Sequence, residues 1–82
     1  MNYTQNERIE QVTDTTLVIG VDIGSQTHYA RAFDNRAREL TKKVFSFSND
    51  IEGFNSFNQW AEGLKTENSK TKVMIGCEPT GH

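Results

Sequence analysis

Residues 16–27 read TLVIGVDIGSQT. Leu17, Val18, Ile19, Val21 and Ile23 are aliphatic. A run that is apolar on both faces predicts a strand in the middle of a sheet. Asp22 interrupts it. An ionised carboxylate beside a buried strand costs free energy unless something pairs with it, so the fold turns on what lies next to Asp22.

The answer offered by the sequence is residues 72–78, KVMIGCE. The two stretches end alike, Ile19-Gly20-Val21-Asp22 in one and Ile75-Gly76-Cys77-Glu78 in the other. Strand side chains alternate with period two, so Gly20 and Asp22 share one face, as do Gly76 and Glu78. Placed as parallel neighbours about 4.8 Å apart in matching register, the strands bring the two acids together at their carboxyl ends. Open α/β sheets bind ligands at that edge. Two close carboxylates repel unless a proton or a cation sits between them. An all-oxygen donor set favours Mg²⁺ or Mn²⁺, ions that assist phosphodiester cleavage. The same residues also admit a plainer reading, in which Asp22 opens a turn and Glu78 is an exposed strand-end acid.

The intervening chain supplies the rest of the sheet. Gly24-Ser25-Gln26 suits a tight turn. Residues 27–34, THYARAFD, alternate, with Tyr29, Arg31 and Phe33 on one face and His28, Ala30 and Ala32 on the other. This predicts a second strand antiparallel to the first, with His28 as a packed or partly exposed histidine. After the turn DNRARE, residues 41–48 predict a third strand carrying Phe45 and Phe47 on one face. The period then changes. Asn49 is a candidate helix cap, with Glu52 completing a capping box. Phe54, Phe57, Trp60, Ala61 and Leu64 form an apolar stripe on a helix of about 15 residues, which Gly53 and Gly63 weaken. TENSKT ends the helix, and Pro79 stops the last strand because it has no amide hydrogen. The order is three antiparallel strands, a helix, and a fourth strand parallel to the first.

The composition bounds the function. At 82 residues the chain holds one small domain. Its mean hydropathy of −0.69 is low, but eight aromatics still permit a core. Residues 1–15 read as a flexible polar tail with a short helical turn near Glu7 to Val12. They have no apolar segment of the signal-peptide kind, and no run reaches the roughly 20 residues of a membrane span. The single cysteine, Cys77, cannot form an internal disulfide; it lies in an apolar run and is expected as a buried thiol, in a reducing cytoplasm. The net charge of −2 is not that of a free-standing nucleic-acid binder. Even so, Arg31, Arg36, Arg38, Lys42 and Lys43 cluster within 13 positions, either as a solvated hairpin or as a phosphate-facing patch. Gly24 and Ser25 are further candidates for phosphate contact. Thr80 is another, as the cap of a helix starting at Gly81. His82 is expected to fray. One helix covers one sheet face only, so a homo-oligomer is expected through the other.

Two segments, IGVDIGSQTHYARAFD at 19–34 and KVMIGCEPTGH at 72–82, linked by FSFSNDIEGFNSFNQW, carry a resemblance. With them, residues 16–82 resemble the N-terminal part of the DEDD-type, RuvC-like insertion-sequence transposases of the bacterial one-ten family. The resemblance implies a ribonuclease-H-like fold and four acidic metal ligands, of which Asp22 matches the first and Glu78 the second. Family members carry the other two acids, and a second domain with a proposed serine nucleophile, further along. The resemblance therefore implies a fragment, inactive alone, of a protein that recombines DNA with Mg²⁺ or Mn²⁺ and is similar to RNA-guided recombinases, which brings in a guide RNA as a partner. GVDIGSQT also resembles the phosphate-binding turn of sugar kinases and actin-like ATPases. A third class is a non-catalytic assembly module in which Asp22 and Glu78 merely hydrogen-bond.

Overall fold

The computed structural model describes residues 13–79, with backbone alone for Glu78 and Pro79. The expected turn at Glu7 to Val12 and the positions of Thr80, Gly81 and His82 lie outside the described residues.

Strand β1 spans Thr16–Ile23, β2 Thr27–Phe33, β3 Phe45–Ser48 and β4 Lys72–Pro79; helix α1 spans Ile51–Glu67, between β3 and β4. The four strands form one mixed α/β sheet in the order β3-β2-β1-β4. β2 is antiparallel to both β1 and β3, and β4 is parallel to β1. The meander and the returning fourth strand therefore stand as the sequence predicts.

Alternation sorts the side chains. Leu17, Ile19 and Val21 of β1 meet Ala30 and Ala32 of β2 and Phe47 of β3 in the core, and Ala61 comes from α1. Phe57, Trp60 and Leu64 of α1 pack against this cluster, with Phe45 of β3. The rings of Phe45 and Trp60 stack at 4.7 Å and those of Phe47 and Phe57 tilt together at 4.8 Å. Most of the helix stripe is thus core, covering the β3 side of one sheet face, while Phe54, expected in the same stripe, is left 45% exposed. His28, on the same face as the alanines, is buried. Val18, Gly20, Asp22, Tyr29, Arg31, Phe33, Met74 and Gly76 alternate onto the opposite face, which no described helix covers.

Three local expectations are corrected. The third strand begins at Phe45, not Thr41. Phe33 bridges Glu39, so an unbroken ladder would set Ala30 opposite residue 42, yet Ala30 faces Phe45. The extra residues loop out, and that lets both Leu40 and Phe45 reach the core. Strict alternation forbids this for two positions of opposite parity.

The helix cap is Asp50 rather than Asn49. Asp50 is extended (φ −156°, ψ 178°), and its Oδ1 accepts from the Gly53 amide at 2.8 Å and from the Ser48 hydroxyl at 2.7 Å. The third helical position is therefore Gly53, and Glu52 makes no capping box. A Cβ on Gly53 would collide with the Ser48 carbonyl, so a residue that sequence reasoning counts as a weakness is a condition of the helix start. Asn49 is engaged elsewhere: its amide donates to the Gln26 carbonyl at 2.9 Å.

Cys77 is exposed, not buried. It shares the helix-side face with Val21, its register partner. However, α1 lies closest to β3, and the β4 end of that face stays open, leaving Ile75 at 49% exposure. An apolar run signals burial only where something covers it.

Candidate functional site

The parallel ladder runs from Thr16 opposite Lys72 to Ile23 opposite Pro79 without a slip. Within it Gly20 faces Gly76 and Asp22 faces Glu78. Both acid positions fall at the carboxyl ends of adjacent parallel strands, on the helix-free face. The Asp22 residue is exposed, so its carboxylate has no buried-charge cost to offset. That resolves the difficulty posed by an acid in an aliphatic strand: Leu17, Ile19 and Val21 are buried on the helix side, whereas Asp22 alternates with Val18 and Gly20 onto the uncovered face, where it is exposed.

Beside the acid positions lies a groove of about 420 Å³ lined by Val18, Gly20, Asp22, Phe33 and Gly76. The glycine pair makes its floor. A Cβ at Gly76 would meet nothing within 4 Å, and one at Gly20 would only touch the Phe33 ring at 3.9 Å. These glycines leave backbone open to an approaching group; no tight helix contact demands them.

The turn after β1 is tied down from behind. The Gly24 amide donates to His28 Nδ1 at 3.1 Å, which leaves Nε2 as the protonated nitrogen, and it donates to Asn49 Oδ1 at 3.1 Å. The Asn49 side-chain amide in turn donates to the Ser25 carbonyl at 3.4 Å. Sequence reasoning treats His28 as a packing residue. The structure adds that it joins the turn beside Asp22 to the segment leading into α1, and the signal for this is a buried histidine four residues after a turn glycine. The same bond engages the Gly24 amide; Ser25 is exposed at the turn.

The basic residues divide. Arg31 is opposite Gly20 on the groove face, and its Nη1 lies 3.4 Å from Glu39 Oε2. Phe33, where β2 leaves the sheet, is opposite Val18, four positions from Asp22, about 13 Å along the strand. Arg36 and Arg38 follow it, so they sit at the far end of the sheet from the acids. There Asp34 organises the hairpin, accepting the amides of Arg36 at 2.8 Å and Arg38 at 2.9 Å, with Arg38 Nε 3.3 Å from its other oxygen. These bonds hold the Asp34 carboxyl below its usual pKa, the Arg38 amide contributing most. Lys42 and Lys43 are exposed in the looped-out segment before β3. Of these five, only Arg31 stands on the groove face beside Gly20, two ladder positions from Asp22, and its guanidinium is turned to Glu39.

Among the described residues no cluster of three or more His, Cys, Asp or Glu gathers as a metal-ligand set. No helix there is long and apolar enough to cross a membrane. No protein-family model matches the chain, and no curated protein matches it.

Proposed function

We propose that Asp22 and Glu78 supply two oxygen ligands of a divalent-metal site acting on nucleic-acid phosphodiesters, within a ribonuclease-H-like fold of the DEDD transposase kind. The observation that carries this reading is the Asp22–Glu78 register at the carboxyl ends of β1 and β4. The donor chemistry fits the ion. Mg²⁺ is commonly held by one or two carboxylates, keeping water and substrate phosphate in its other positions, so a pair of acids is enough to hold it. Mn²⁺ tolerates looser geometry. When bound, such an ion polarises a phosphoryl oxygen or activates water.

The chain's own part is to bind and to position. The Gly20–Gly76 floor lets a sugar-phosphate backbone come close to the acids. Arg31, on the same face, offsets phosphate charge when it leaves Glu39. Arg36 and Arg38 at the far end of the sheet, and Lys42 and Lys43 in the looped-out segment, contact the same duplex away from the acids. DNA is the substrate in this reading, a guide RNA a further partner of the whole recombinase, and a reducing cytoplasm the compartment that suits a free, exposed Cys77 thiol. Two carboxylates do not hold a two-metal centre by themselves, so the property expected of Asp22 and Glu78 is metal-dependent binding.

The experiment is binding of a short DNA duplex with and without Mn²⁺. Affinity that rises with Mn²⁺ and loses that rise in both Asp22→Asn and Glu78→Gln supports the proposal. Metal-independent binding unaffected by either substitution overturns it. Binding of ATP–Mg²⁺ in place of DNA moves the site to the kinase and ATPase class.

A further inference from the structure

Among the described residues no strand pairs with the outer edge of β4. From Val73 to Cys77 that edge carries no charge and no proline, and Ile75 and Cys77 are exposed beside it. Natural sheets guard free edges with charges, prolines or bulges in mid-strand; here the only charges stand at the two ends, Lys72 and Glu78. That placement is self-complementary.

We infer that β4 pairs antiparallel with β4 of a second copy of this chain, about a two-fold axis through Ile75. Such an axis, perpendicular to the sheet, keeps both helices on one side and requires a residue, not a gap, at its centre. Centring on Ile75 sets Lys72 opposite Glu78 of the partner subunit, twice by symmetry. Centring on Met74 or Gly76 loses that charge match. The Ile75 centre also aligns the strand from Lys72 to Glu78 and leaves Pro79 just beyond the ladder, where its missing amide costs no bond. On the helix side Ile75 meets the partner's Ile75, and Cys77 meets the partner's Val73. The open β4 end of the helix-side face, where a groove of about 470 Å³ runs past Phe54, Ile75 and Cys77, then becomes the middle of an eight-stranded sheet. Cross-strand apolar pairs and opposite charges each favour this register. The inference does not depend on a metal site.

The test is sedimentation of the full chain in EDTA, with circular dichroism confirming each variant's fold. The wild type sediments at twice the 9.3 kDa of one chain. Lys72→Glu and Glu78→Lys each set like charges opposite one another and weaken the dimer roughly tenfold. The double variant Lys72→Glu/Glu78→Lys restores it. As a second readout, Ile75→Cys in a Cys77→Ser background forms an intermolecular disulfide under mild oxidation. A wild-type monomer at the highest attainable concentration, a dimer indifferent to the single charge reversals, or failure of the double variant to recover each overturns the inference.

Discussion

Asp22 stands opposite Glu78 in the parallel ladder of β1 and β4, one step beyond the last buried residue of β1, Val21. The pairing follows from the match between two tetrapeptides 56 positions apart. It puts two acids side by side on a face where no described helix covers them. Without a cation, like charges directly opposite one another are destabilising.

Asp22→Asn should therefore stabilise the metal-free fold, by up to about 1 kcal/mol. Thermal melting in EDTA checks this. A lower melting temperature for the variant would mean that Asp22 makes a structural hydrogen bond instead.

The strand order, the parallel return of β4 and its register were legible because each rests on a short-range pattern: the alternation of residues 27–33, the three-and-four spacing from Phe54 to Leu64, and the repeated Ile-Gly-X-acid ending. What was not legible depended on where elements lie relative to one another. Cys77 is apolar in sequence but exposed, because α1 sits over β3 rather than β4. The looped-out residues before Phe45 answer to the core's demand for Leu40, which local alternation does not encode. Asn49 and Asp50 are equally good caps by composition, and His28 decides between them by engaging Asn49.

The aromatic core should be unequal in its effects. Phe47 is 7% exposed and Phe54 45%. Phe47→Ala should cost about 3–5 kcal/mol, and Phe54→Ala clearly less. Urea unfolding of the two variants makes the comparison.

Gly53→Ala should destabilise the protein although alanine is the better helix former, because its methyl group would meet the Ser48 carbonyl. Gly63→Ala, with open space around it, should stabilise by up to about 1 kcal/mol. Opposite shifts in melting temperature are the expected result.

Asp50 gives a pH dependence. The Ser48 hydroxyl first, then the Gly53 amide, hold its pKa below the ordinary 3.8. A carboxyl depressed on folding stabilises above its unfolded pKa, and the contribution is lost as pH falls through the folded value. Acid titration of stability should show this loss below about pH 4. Asp50→Asn, which keeps a cap acceptor, should remove Asp50's share of that loss while leaving α1 formed.

The most direct test of the central claim is Mn²⁺ titration followed by paramagnetic broadening of backbone amide resonances. The account predicts that signals around residue 22 and around residue 78 broaden together, at the same low occupancy, and that either Asp22→Asn or Glu78→Gln removes both effects. Broadening confined to one strand, or centred on Asp34 and Asp50 instead, would contradict a shared site.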